Sequence, residues 1–318
     1  MRLALLPLVL IAALIGAGPA GAQGPIRAEG GWLSWWDEVR EDRVLERGGR
    51  AYPFPAVRGP DLGTDARGRA VATYTDCTSE PYPQFTDCGV LERRLFSGAT
   101  RTLVPRRDGF GLEAVAQHRG TLAVAQNRGR AGRGSRVLLR RPGRSRFTVV
   151  TPKTRAVRVD LEDGLLSYFQ WSSENYVRTV DLRRSRPRTR TWVTDDTRDF
   201  DCKCEQKLEQ VGDATLEGRY VYWLEYTARS TDGSSIGGGS HAVLFSARFV
   251  RVDALAARPA VAEYRILDED PSGARIPSSF AVDRGRIYHD QLRDLRRGVR
   301  PKWRRTGERL PIRHQSSP

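Results

Sequence analysis

The densest run of side chains able to do chemistry is TDDTRDFDCKCE, residues 194–205, which places Asp195, Asp196, Asp199, Asp201 and Glu205 close together. Hard cations such as calcium bind several carboxylate oxygens from a short flexible loop. The spacing is not that of an EF-hand, however, and Arg198 sits inside the run. A solvated acidic loop, neutralised by neighbouring arginines, therefore competes with a cation site, and we expect no resident metal and no cofactor. Asp196, Arg198, Asp199 and Asp201, with Arg106 and Arg107 from a separate loop, are the candidate binding residues. The same run carries Cys202 and Cys204, which with Cys77 and Cys88 make up the four cysteines of the chain. An even count in an exported chain argues for disulfides over metal ligands, with three connectivities open. Cys77 and Cys88 flank one loop, so the expected bridges are Cys77–Cys88 and Cys202–Cys204. No histidine lies near enough in sequence to complete a zinc set.

Catalytic patterns are sparse. Glycoside hydrolysis needs two carboxyls about 5 to 10 Å apart. Asp160, Glu113 and Asp213 fall in segments that read as innermost strands, but sequence spacing does not make any two of them converge. The Ser-x-Asp-x-Gly-x-x-Trp boxes of sialidases are missing, and so is a Gly-x-Ser-x-Gly nucleophile elbow. The four histidines, His118, His241, His289 and His314, are isolated from one another. The Gly/Arg stretch from Arg128 to Ser135 lacks the Gly-Lys-Ser/Thr of a phosphate loop and opens no helix; it reads as a hairpin connection able to touch polyanions weakly. Trp32, Trp35 and Trp36 could stack on sugars, but they directly follow a glycine turn in a second strand, a position that favours core packing.

The elements that must position these residues are short strands. Residues 156–193 parse into four: Ala156–Leu161, Leu165–Trp171, Tyr176–Leu182 and Thr189–Val193. Each is rich in β-branched, aromatic and aliphatic residues and bounded by turn formers. In the first, Val157, Val159 and Leu161 alternate with Arg158 and Asp160. The second is apolar on both faces, Leu165, Phe169 and Trp171 on one and Leu166 and Tyr168 on the other, as a strand between two neighbouring sheets requires. A four-stranded antiparallel sheet covered on both faces is a propeller blade. The layout recurs, with Gly31, Gly68, Gly120, Gly164, Gly218 and Gly285 each ending a first hairpin turn and opening a second strand, at a propeller-like period with loop insertions. Six such cues predict an all-β, six-bladed β-propeller of four-stranded antiparallel blades, with five or seven blades as alternatives. The last blade reads as weak, and the segment before Gly31 could supply its outer strand.

The acidic-x-Gly units followed by an apolar strand resemble the repeats of TolB-like and WD40-like bacterial propellers; Asp163-Gly164 and Asp283-Arg284-Gly285 match, while the Ser-Pro that precedes them in those repeats is absent. The resemblance implies a propeller with a scaffold or binding role, and it carries over no catalytic residue.

The chain begins like an export signal. Arg2 supplies the positive start, Leu3 to Ile15 the apolar core and Ala20-Gly21-Ala22 the small-residue cleavage site. We expect residues 1–22 to be a signal peptide, 23–300 the propeller and 301–318 a basic tail. Gly16, Gly18 and Pro19 shorten the apolar run below the ~18 to 20 residues of a membrane span. Lys+Arg total 53 against 38 Asp+Glu, a net charge of +15 carried almost wholly by arginine. Arginines spread through every blade are unlike the clustered stripe of a specific nucleic-acid binder. The expectation is a secreted or periplasmic monomer with no membrane span after signal removal. It would bind a protein partner or an envelope polysaccharide through a loop-rich face and be non-catalytic. A propeller glycan hydrolase or lyase, with carboxylates at the channel mouth, is the alternative.

Overall fold

The structure is a computed structural model that describes residues 25–37, 42–55, 60–79, 86–126, 134–170, 174–196, 207–230, 243–270, 277, 279–291, 294–306 and 313–315. Within these residues the strands form six antiparallel sheets set around one axis. Blade 1 comprises β1 (Arg27–Glu29), β2 (Trp32–Asp37), β3 (Asp42–Arg47) and β4 (Arg50–Tyr52). Blade 2 comprises β5 (Asp61–Thr64), β6 (Ala70–Ser79), β7 (Thr86–Arg94) and β8 (Thr100–Val104). Blade 3 holds β9 (Leu112–His118), β10 (Thr121–Gln126), β11 (Arg136–Arg140) and β12 (Thr148–Pro152). Blade 4 holds β13 (Ala156–Glu162), β14 (Leu165–Gln170), β15 (Glu174–Asp181) and β16 (Thr189–Asp196). Blade 5 is built from the long strands β17 (Lys207–Glu217), β18 (Tyr220–Ser230), β19 (Val243–Asp253) and β20 (Val261–Asp270). Blade 6 has β21 (Phe280–Asp283), β22 (Arg286–Gln291) and β23 (Asp294–Val299). The chain is therefore an all-β, six-bladed β-propeller built on four-stranded antiparallel blades, as the six glycines led us to expect.

Those glycines lie where they were placed. All six have positive φ, from 58° at Gly218 to 83° at Gly31. At Arg119-Gly120, Asp163-Gly164 and Arg284-Gly285 both residues of the turn have positive φ, the backbone that matches the twist of the strands it joins. Gly63 answers a different demand: a Cβ there would come within 1.8 Å of the Gln117 carbonyl oxygen, so β5 lies against β9 with no room for a side chain.

The ends of the chain depart from expectation. Among the described residues the segment before Gly31 does not supply an outer strand to blade 6; β1 is the innermost strand of blade 1 and pairs with β2. It is too short, and too close to the turn at Gly30-Gly31, to serve both sheets. Past blade 6 the chain turns back: β24 (Arg304–Arg305) extends the outer edge of blade 5 against β20, and β25 (Arg313–Gln315) extends that of blade 4 against β16.

The core is divided into six clusters, one per seam. Leu166 and Tyr168 enter the cluster shared with blade 3, while Leu165 and Phe169 enter the one shared with blade 5. The two apolar faces of β14 are thus used as the sequence implied; Trp171 lies outside the described residues. Trp32 is 1% exposed in the seam of blades 1 and 2, and Trp35 packs in the seam of blades 6 and 1, so both are core side chains.

Candidate functional site

The carboxylates carried by the innermost strands do converge on the axis, and arginines meet them there. Arg27 of β1 reaches across the ring toward blade 4: its Nε is 3.8 Å from Asp61 of β5, one terminal nitrogen is 3.9 Å from Asp160 of β13, and the other donates to the Val159 carbonyl at 3.2 Å. Arg158 of β13 reaches the opposite way. It pairs with Asp213 of β17 and donates to the carbonyls of Ile26 in blade 1 at 3.3 Å and Phe280 in blade 6 at 3.1 Å. Both arginines are at most 4% exposed. At this level the axis is filled by two crossed guanidiniums and their partners.

The same carboxylates also staple blade 2 to blade 3, blade 4 to blade 5 and blade 5 to blade 6. Asp61 accepts the Gln117 N–H of blade 3 at 2.8 Å, and Asp160 accepts the Leu216 N–H of blade 5 at 2.9 Å and the Thr215 hydroxyl at 2.6 Å. Asp213 accepts the Ser279 hydroxyl of blade 6 at 3.2 Å, and the Ser279 Oγ accepts the Ile26 N–H of blade 1 at 2.9 Å. A second tier repeats this on the face where first and second strands turn, which we call the turn face. Glu162 accepts from Gly218 N–H at 2.6 Å, Glu217 from Gly285 at 2.7 Å, and Asp283 from Gly30 and Gly31 at 3.0 and 2.9 Å. In each case the carboxylate preceding one blade's turn holds the backbone of the next blade's turn. Charge-assisted bonds of this kind are the stronger class of hydrogen bond.

Burial leaves this region short of positive charge. At the axis three carboxylates, Asp61, Asp160 and Asp213, meet two guanidiniums. Desolvation raises Asp61 to about 7 against the pull of Arg27 and the Gln117 N–H. At the turn-face end, desolvation raises Glu29 to about 8, with Glu162, Asp160, Asp61 and Asp283 adding repulsion. Glu162 rises to about 7 for the same main reason, opposed by the Gly218 N–H. Carboxyls partly protonated near neutrality can act as acids. Here, though, Asp61, Asp160 and Asp213 are spent on packing one blade against another.

Of the residues singled out in the sequence, Cys77, Cys88, Arg106 and Arg107 are described, and they fall on the other, loop-bearing face. Cys77 and Cys88 are directly opposed on β6 and β7 and form a disulfide, Cα atoms 4.0 Å apart. Arg106 pairs with Asp76 beside that bridge through a two-pronged contact, its Nε donating at 2.9 Å. The Cys88 N–H donates to the Phe110 carbonyl at 2.9 Å and Asp87 accepts the Gly109 N–H at 2.7 Å. The loop from Pro105 to Gly111 is thereby docked on the disulfide end of the blade 2 hairpin. Arg107 is exposed within it, and its carbonyl accepts the Phe110 N–H. Asp196 ends β16; its side chain, together with Arg198, Asp199, Asp201, Cys202 and Cys204, lies outside the described residues. Among the described residues no group of three or more His, Cys, Asp or Glu could hold a metal ion, and no helix is long and apolar enough to cross a membrane.

Sequence reasoning named Asp160 and Asp213 but missed Arg27, Arg158 and Asp61. Arg158 was visible only as the polar partner in an alternating strand. A usable signal was the acidic residue at or just before the first turn, Glu162, Glu217 and Asp283, which proves to be a stapling position.

Comparison with known proteins adds the fold. No family model matches the chain, and no curated protein matches it. Among solved structures it is similar to the tricorn protease, at 10% identity and a TM-score of 0.50, over 93% of this chain and 27% of that one. It is also similar to a chain of a nidogen/laminin complex, at 12% identity and a TM-score of 0.47 over 88% and 92%. A third is BamB from Moraxella catarrhalis, at 11% and 0.40 over 85% and 94%. This chain thus spans little more than a quarter of the tricorn polypeptide. At 10% identity the likeness to the tricorn protease shows the fold alone.

Proposed function

We propose that the chain is an exported, TolB-like propeller that acts as a non-catalytic binding or scaffolding module at the cell envelope. The observation that carries this reading is the use of Asp61, Asp160 and Asp213 as blade-to-blade staples around Arg27 and Arg158, which takes the axial carboxylates away from acid–base work. The partner is a protein or an envelope polysaccharide, held on the face that bears the Cys77–Cys88 hairpin and the docked loop with Arg106 and Arg107. Loops on a rigid scaffold are the usual seat of binding sites. Asp196, Arg198, Asp199 and Asp201, candidates from sequence alone, are proposed to contribute to the same site. The mature chain starts at Gln23 and works as a monomer without a cofactor; the Cys77–Cys88 bridge supports an extracytoplasmic setting, because cytosolic thiols are kept reduced.

A second reading, a glycan hydrolase or lyase, is favoured by one observation, the pair Glu29 and Glu162 with raised pKa values at the turn-face end of the axis. One experiment separates the two. The mature chain is titrated with purified envelope polysaccharide while new reducing ends and unsaturated sugars are assayed. Saturable binding without product, lost when residues 80–85 are replaced by a Gly-Ser linker, is the expected result. Product that disappears in Glu29→Gln would install the hydrolase or lyase reading instead.

A further inference from the structure

A recess of about 110 Å³ opens on the turn face at the seam of blades 4 and 5, opposite the face considered above. Its walls include Arg183, Arg184, Arg188 and Arg190 from the end of blade 4, Asp181 at the end of β15, and the turn at Ala254 and Leu255 after β19. Arg190 is half-buried and fixed: one terminal nitrogen donates to the Ala254 carbonyl at 3.0 Å and the Ala256 carbonyl at 2.8 Å. Asp181 spends its two oxygens on Arg183 Nε at 2.8 Å and Arg184 Nε at 3.1 Å. Arg188 has no charge partner among the described residues. Four guanidiniums therefore face one carboxylate around a space that could otherwise hold only a few waters.

We propose that this recess is a binding site for a tetrahedral oxyanion, phosphate or sulfate, taken either as the free ion or as the ester group of an anionic polymer. Planar guanidinium donors match such oxygens two at a time. The fixed Arg190 forms the floor, and the exposed Arg184 and Arg188 form the rim, so a group projecting from a longer chain can enter as well as a free ion. Asp181 tempers the positive charge and holds Arg183 and Arg184 in place. The site does not rest on the binding role proposed for the opposite face.

The test is calorimetric titration of the mature chain with inorganic phosphate, inorganic sulfate and a short polyphosphate at low salt. Binding should weaken by about tenfold in Arg188→Gln, the loss of one charge-assisted bond. It should strengthen in Asp181→Asn, which removes the competing carboxylate. Arg144→Gln, on the exposed third-to-fourth-strand turn of blade 3, should change nothing beyond twofold. Polyphosphate binding much tighter than phosphate identifies the polymer as the source, and equal affinity per group identifies the free ion; either supports the site. No measurable binding, or an equal loss in Arg188→Gln and Arg144→Gln, would overturn it, since the second result means diffuse charge and no built recess. Arg144 and Arg188 are both exposed, so unchanged melting temperatures serve as the folding control.

Discussion

Between blades 4 and 5, Leu165, Phe169, Val177, Trp192, Val211, Val221, Trp223 and Val250 are sealed from water, with Val157 and Val193 packed beside them. Between blades 6 and 1, where the ring closes, the buried apolar set is Ile26, Leu33 and Ala281, with Ala28, Trp35 and Tyr288 half-covered. Polar contacts make up the difference at the closure: Asp283 to Gly30 and Gly31, Ser279 to Ile26, and Arg158 to both Ile26 and Phe280. β1 has three residues and β21 has four, too little strand to build a wide apolar seam. Apolar contact is undirected, whereas these bonds fix which backbone meets which. The long seams supply cohesion, and the closing seam supplies register.

The largest effect is expected at the axis. Arg158→Met leaves Asp213 as an uncompensated buried charge and takes the donor from Ile26 and Phe280, so it should cost about 3 to 5 kcal/mol in urea unfolding. Next come the seams themselves. Phe169→Ala should cost about 3 to 5 kcal/mol, and Leu33→Ala, in the closing seam with fewer neighbours to lose, about 2 to 3 kcal/mol; the reverse order would break the contrast. Asp283→Asn weakens the acceptor for two N–H groups and should cost about 1 to 2 kcal/mol. Faster amide exchange should then be confined to Ala281, Val282 and the Gly30-Gly31 turn, read by hydrogen-exchange mass spectrometry.

A further expected effect is that of pH. Glu29, Asp61 and Glu162 have folded-state pKa values raised to about 8, 7 and 7, so between pH 4 and 8 the folded chain binds more protons than the unfolded one. Stability from these groups is fully present below their unfolded pKa and is lost as pH rises through 7 and 8. The melting temperature should therefore fall between pH 5 and pH 8.5. Glu29→Gln should flatten that slope.

Much of this fold is written locally. The four strands of blade 4, the two-faced β14 and the six turn glycines follow from alternation and turn chemistry over a few residues. Cys77 and Cys88 followed from their flanking one loop. What escaped is carried by residues far apart in sequence and ordinary in their local pattern. Nothing around Arg27 marks it as the partner of Asp61 and Asp160, and Arg158 occupies an outward-looking place in an alternating strand whose outside is the axis. The path of the chain after blade 6 was hidden for a similar reason. Two- and three-residue strands such as β24 and β25 have no periodicity of their own and exist because blade edges receive them.

If the axial ion pairs lock the ring, Arg158 and Asp213 must be energetically coupled, and a double-mutant cycle on the two measures that coupling. Urea unfolding of Arg158→Met, Asp213→Asn and the double variant should give a coupling energy of about 2 kcal/mol or more, with the double variant recovering stability lost in Arg158→Met. A coupling near zero, with the two losses simply adding, would contradict it: the arginines would then be passengers in a ring held by its apolar seams.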